Sequence, residues 1–247
     1  MKKKLLLLTA LLCAVVQGAW SQSNWDVWDG SSQSVPWSEP QTGNRRPNIH
    51  IASGSQLAWI AERWNNRDVF DTNRWPYQYD IILEADIDMT AGTWTTLGGH
   101  GFEATFYGNG HTIRIKNTTG SSNYQGIFSQ LNEGAVVKDL RVVVDFQLGN
   151  CRKVGGITGH NYGTISNCWV TGTIKTDHYS IYHADLGGIA GMNDSGGKIE
   201  YCCFNGTVSN TAQNTGVGGL VGRNYSTLEH CTFFGKVNTD PRRTIYS

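Results

Sequence analysis

Three stretches of the chain are copies of one another, and a chain built from copies is confined to few architectures. Val154 to Ile174 reads VGGITGHNYGTISNCWVTGTI, Leu186 to Val208 reads LGGIAGMNDSGGKIEYCCFNGTV, and Val217 to Val237 reads VGGLVGRNYSTLEHCTFFGKV. Gly155, Gly187 and Gly218 are equivalent, which gives spacings of 32 and 31 residues. A weaker copy, Gln125 to Phe146, precedes them and carries Leu140 where the later copies carry Cys168, Cys202 and Cys231. Within each copy the apolar residues alternate. Cys168, Val170 and Ile174 share one phase, as do Cys202, Phe204 and Val208, then Cys231, Phe233 and Val237. Period two puts each set on one face of a strand. Ile165, Ile199 and Leu228 stand three places before the cysteines. An odd spacing breaks the phase, so the backbone must bend there. The glycine-rich half of each copy is too short and too glycine-rich for a helix. Short strands joined by bends cannot bury their apolar side alone, whereas stacked coils about 4.8 Å apart can. The expected fold is all-β, a parallel β-solenoid. A β-sandwich also alternates but lacks internal copies at a fixed period.

The glycine runs carry a resemblance. Gly218-Gly219-Leu220-Val221-Gly222, with Gly155 to Gly159 and Gly187 to Gly191 upstream, resembles the GLUG motif of bacterial secreted and cell-surface proteins. Leu83 to Met89, then Trp94, Leu97 and Gly98, resembles the family's lead-in, and Phe106 to Ile113 resembles its F-D-G-N-G-H-T-I coil. Leu97 and Tyr107 stand where the family favours Ile and Asp. The resemblance spans about residues 48–237. It implies a right-handed parallel β-helix on an exported protein, often of Bacteroidetes type, and no single activity.

The flanks are of other kinds. Residues 1–21 have a basic start at Lys2 to Lys4, an apolar run from Leu5 to Val16 and a small-x-small site at Ala19-Trp20-Ser21. This reads as a signal peptide, because the run is shorter than the ~20 residues that span a bilayer. Residues 22–47 form an irregular lead-in containing Trp25, Trp28 and Trp37. The β-helix domain is then 48–247, with repeats at 125–146, 154–174, 186–208 and 217–237. Within it, Ser53 and Gln56 have capping-box spacing, and Leu57, Ile60, Ala61 and Trp64 recur at helical spacing. A short capping α-helix over 53–66 should cover the open end of the first coil, where apolar cross-section and strand edges would otherwise meet water. After Val237 only ten residues remain, so edge-to-edge association at the C-terminal coil is expected unless Asp240-Pro241-Arg242-Arg243 blunts that edge.

Composition narrows the chemistry. Lys+Arg and Asp+Glu both number 20, so no basic field marks a nucleic-acid partner. Cys168, Cys202 and Cys231 read with Leu140 as one interior ladder of small apolar side chains, protected from thiol reagents, with Cys203 on the opposite phase labelling fastest. Asp86 and Asp88 have the i, i+2 spacing that could hold Ca²⁺ or act as acid and base, but also that of a solvated or turn-capping pair. His111, His160 and His230 read as surface polar groups. Gly99-His100-Gly101 and Arg114-Ile115-Lys116 resemble tripeptides of polygalacturonases, yet the paired carboxylates of that chemistry are missing upstream. No catalytic residue, metal site or cofactor is therefore assigned. The expected role is a non-catalytic, adhesin-like binding protein, secreted or at the cell surface, for a glycan or a surface protein. Its ligand face should be the outward residues in register, Arg141, Trp169, Asn205 and Phe234. The alternatives are a structural spacer within a longer surface protein and a polysaccharide lyase or hydrolase.

Overall fold

The computed structural model describes residues 25–33, 48–65, 80–117, 123–149, 151–176, 184–210 and 215–239. The expected signal peptide, most of the lead-in and the tail 240–247 lie outside them. The described chain is a parallel β-solenoid of about five turns with one short helix. Sheet I has seven strands in the order β1 (Asp26–Val27), β4 (Ile87–Asp88), β6 (Thr112–Asn117), β10 (Arg141–Leu148), β14 (Trp169–Thr176), β18 (Cys203–Asn210) and β22 (Thr232–Thr239). Sheet II also has seven: β2 (Asn48–Ile51), β3 (Asp80–Leu83), β5 (Thr105–Tyr107), β9 (Val136–Lys138), β13 (Thr164–Ser166), β17 (Lys198–Glu200) and β21 (Thr227–Glu229). Sheet III holds β8 (Phe128–Leu131), β12 (Thr158–Asn161), β16 (Ala190–Asn193) and β20 (Val221–Asn224). Sheet IV holds β7 (Tyr124–Gln125), β11 (Lys153–Val154), β15 (Ala184–Leu186) and β19 (Thr215–Val217).

The alternating residues form the core. Ile113, Val142, Val170, Phe204 and Phe233 pair in register across sheet I. Ile49, Ile81, Phe106, Val137, Ile165, Ile199 and Leu228 do so across sheet II. All but Phe233 and Leu228, on the last described coil, are buried. Each such side chain contributes about 1.5–3 kcal/mol of burial. Between the two sheets the phase breaks at one residue per coil. Asp139, Asn167, Tyr201 and His230 adopt φ of 56°, 50°, 54° and 52°. This left-handed turn is the bend that the odd spacing requires, and it swings the next residue inward.

The glycine runs are explained by close approach. The second glycine of each pair lies on an inward side chain of sheet I. A Cβ on Gly156 would stand 2.4 Å from Val170 Cγ1, and one on Gly188 or Gly219 would enter the ring of Phe204 or Phe233. The third glycine lets the chain double back, since a Cβ on Gly159 would meet the carbonyl oxygen of Lys153 at 2.8 Å. Beside this turn runs an amide ladder, buried at Asn161 and Asn193. Asn161 Nδ2 donates to Asn193 Oδ1 at 2.8 Å, and Asn193 Nδ2 donates to Asn224 Oδ1 at 2.7 Å.

Helix α1 (Gly54–Asn65) buries Leu57, Ile60, Ala61 and Trp64. Ser53 Oγ accepts from the Gln56 amide, while Gln56 Oε1 accepts from the Ala52 amide, a capping box displaced by one residue. Trp64 Nε1 donates to the Gly101 carbonyl at 3.0 Å, and its ring lies 4.6 Å from Phe102. The lead-in adds β1 to the edge of sheet I, with Trp28 packed on Gly54 and Gly92.

The cysteines partly depart from expectation. Leu140, Cys168 and Cys202 are buried at one corner, and Cys231 continues the ladder half-exposed because no described coil lies above it. Cys203, expected to be the most reactive, is only 6% exposed. Its short side chain is on the outward phase, in the row between Trp169 and Thr232. Burial pushes the Cys151 thiol up to about 12. Hydrogen bonding to Cys202 and burial push Cys231 up as well, which slows its thiolate chemistry. Iodoacetamide on the native protein should therefore modify Cys231 first and slowly. Cys151, Cys168, Cys202 and Cys203 should react only after denaturation. Fast native modification of Cys168 would contradict the ladder.

Candidate functional site

Two outward rows cross sheet I side by side. Thr112, Arg141, Trp169, Cys203 and Thr232 form one, and Arg114, Val143, Thr171, Asn205 and Phe234 form the other. The structure thus brings Arg141, Trp169, Asn205 and Phe234 onto one face in adjacent rows. Arg141 is exposed, Trp169 and Asn205 are half-buried, and Phe234 is 39% exposed. Toward the N-terminal end, Arg114 lies over the Trp25 ring at 4.5 Å and bonds Asp88 at 3.0 Å. That pairing splits the two carboxylates. Asp88 also accepts from the amide and hydroxyl of Thr90, while Asp86 accepts from the Thr112 amide at 2.7 Å. Asp88 caps its own turn, whereas Asp86 caps the start of β6 on the next coil. Among the described residues no group of His, Cys, Asp and Glu is arranged to hold a metal ion.

A second constellation was not foreseen. His160, read from sequence as a surface group, is 5% exposed. The glycine turn explains the difference: it folds β12 back on β11 and brings Lys153, seven residues earlier, to 3.1 Å from His160 Nδ1. Asp194, on the next coil, lies 3.0 Å from His160 Nε2. An ammonium only donates, so Nδ1 accepts from Lys153 and the ring proton sits on Nε2, donated to Asp194. Tyr124 and Tyr162 pack their rings against the imidazole at 5.5 and 4.3 Å. Asp185 and Arg223 form a further ion pair at 3.1 Å, on the strands that follow Lys153 and Met192 in their sheets.

The charges of this cluster are internally paired. Burial lowers the His160 pKa and the Lys153 charge adds to this, against the Asp194 hydrogen bond. Burial likewise lowers Lys153, against the attraction of Asp185 and Asp194. Burial alone would raise Asp194, but donors from Ser195, His160 and Tyr162 outweigh it and hold the carboxyl below its usual value. A signal for the cluster exists in the copies. The outward positions read His160, Met192 and Arg223 in one row and Lys153 and Asp185 in the other, while the neighbouring glycines and asparagines repeat unchanged. Unlike residues in a repeated frame mark where each coil does something of its own.

The arrangement predicts acid sensitivity. A histidine whose folded pKa lies below 6.5 contributes stability that is fully present above 6.5 and is lost as pH falls from there toward the folded value. The melting temperature should drop between pH 7.5 and pH 5, and His160→Gln should flatten that drop. An equal drop in the variant would place the acid sensitivity elsewhere.

The family model described as the GLUG motif matches residues 150–175 and 213–238. A protein of Evansella cellulosilytica, whose name describes it as a Gly-rich membrane protein, is 36% identical over 95 residues. That match covers 36% of this chain and 11% of the relative, so the chain matches only about a tenth of the relative's length. No solved structure matches the chain. Among the described residues no helix is long and apolar enough to cross a membrane. With its glycines seated on inward side chains of sheet I, the chain is a β-solenoid that carries the GLUG motif.

Proposed function

We propose that the protein is an exported, non-catalytic binding β-helix that holds its ligand, a glycan or a surface protein, on the outer face of sheet I. The observation that carries this reading is the exposed ring of Phe234 in register with Asn205, one row from Arg141 and Trp169. Apolar rings beside a guanidinium and an amide, on a flat and rigid array, are groups that anchor sugars and protein partners. The GLUG motif and the relative's name support placement at a cell surface. Export rests on the sequence of residues 1–21.

The test is a glycan array and a cell-surface binding assay on the mature protein, repeated with Trp169→Ala and Phe234→Ser. The ligand found should bind at least tenfold more weakly to both variants, with their circular dichroism unchanged. A polyuronate release assay should show no product. Full binding by both variants would remove this face from consideration, and release of product would overturn the non-catalytic reading.

A further inference from the structure

We propose that the edge of sheet II on the last two described coils, where Tyr201 and His230 stack at the corner, is a second binding platform, and that its ligand is a neutral glycan chain. This goes beyond the reading above, because it uses a different face and different residues.

The starting point is a residue choice that the fold does not require. Four successive coils place one residue in the left-handed conformation at the same corner, as the ladder of amide bonds from Asp139 to Ser166, Asn167 to Glu200 and Tyr201 to Glu229 shows. On the first two, that residue is Asp139 or Asn167, types that tolerate positive φ, and Asn167 donates to Asp139. On the next two it is Tyr201 and His230. Histidine, like Asn and Asp, is among the types found at positive φ, but a tyrosine there is an outlier, and departures from the locally favoured residue concentrate where a protein has a task. Tyr201 and His230 are adjacent. Their rings stack at 4.9 Å with an interplanar angle of 11°, and Tyr201 is 57% exposed. They are built onto the surface rather than into the core.

The surroundings turn the stack into one side of a trough. At the opposite end of the same short strand, on the corner from sheet III to sheet II, Tyr225 is 60% exposed. Between these two aromatic rims lies the floor made by β17 and β21, three residues long and so roughly 10 Å wide. Its outward groups include Lys198, Glu200 and Glu229. Lys198 already pairs with Glu200 at 2.9 Å. Glu229 makes no direct ion pair among the described residues, although Lys198 attracts it as well.

Those charges select the ligand class. An anionic polysaccharide would meet Glu200 and Glu229, and a basic peptide would find a net charge of only about one, screened at physiological salt. Sugar hydroxyls suit the site better. Carboxylates and the tyrosine and imidazole edges offer acceptors and donors to hydroxyls, and the rings offer apolar surface to sugar C–H faces.

The competing explanation is that the Tyr201–His230 stack merely stabilises the coil, and the two accounts predict opposite changes in stability. The experiment measures binding of malto-, cello-, manno- and chitohexaose by calorimetry, with polygalacturonate and polylysine as controls, alongside the melting temperature. The wild-type protein should bind at least one neutral hexasaccharide, with an affinity unchanged by 0.5 M salt. The double variant Tyr201→Asn/His230→Asn should bind it at least tenfold more weakly and melt at the same or a higher temperature, because Asn is the residue this corner favours. Glu229→Gln, an exposed change, should weaken binding severalfold without moving the melting temperature. Failure of all four hexasaccharides to bind, undiminished binding by the double variant, or undiminished binding by Glu229→Gln would each overturn the proposal. Loss of affinity in Trp169→Ala or Phe234→Ser alone would assign the ligand to sheet I and likewise overturn it.

Discussion

Gly188→Val should be among the most damaging single changes in this chain. A Cβ on Gly188 would stand 2.1 Å from Phe204 Cγ and 2.5 Å from the Gly219 carbonyl oxygen. Phe204 is fully buried and stacks on Phe233 at 6.0 Å, and the carbonyl belongs to the next coil, so neither neighbour can retreat cheaply. Overpacking of a core costs about 1–3 kcal/mol and occasionally more, and a whole isopropyl group against a buried ring and a backbone carbonyl belongs at the upper end. For a domain of this size ~3 kcal/mol lowers the melting temperature by roughly 10 °C. Phe204→Leu in the same background should recover part of the loss, since it removes the atoms that a new side chain strikes. An unchanged melting temperature in Gly188→Val would mean that the second glycine of the motif does not sit on the sheet I side chain.

Asn193→Ala should cost as much by another route. Asn193 is fully buried in the amide ladder, where it accepts from Asn161 and donates to Asn224 Oδ1 and the Thr227 carbonyl. Truncation takes a partner from Asn161 on one neighbouring coil and from Asn224 and Thr227 on the other, and a buried polar group left without a partner costs about 1–3 kcal/mol. The summed loss should be about 3 kcal/mol or more by chemical denaturation. Asn224→Ala, exposed on the last described coil, should cost under about 1 kcal/mol. Equal losses at the two positions would contradict the ladder.

Much of this architecture could be read from the chain. The alternation of Cys168, Val170 and Ile174, repeated in the later copies, names the inward rows of sheet I, and the odd step from Ile165 to Cys168 locates the corner at Asn167. Those signals are local, and a repeat multiplies them. The buried state of His160 was not legible, because it arises from the fold-back at Gly159 and from Asp194 on a neighbouring coil. Periodicity gives a residue its face but not what stands beside it on the next coil. Cys203 failed for the same reason: its outward phase is right, but phase alone does not give its burial. The corner residues Tyr201 and His230 gave no sign in a pattern of apolar alternation, since their distinction is a backbone angle.

The stacked register is the claim on which all else rests, because every proposed surface is assembled from residues about thirty positions apart. Nuclear Overhauser contacts in the isotopically labelled protein test it most directly. The account predicts interstrand backbone contacts that link Val142 to Val170, Val170 to Phe204 and Phe204 to Phe233, all in parallel register. Antiparallel contacts among these strands, or a register that sets Val170 beside Cys203 rather than Phe204, would contradict it.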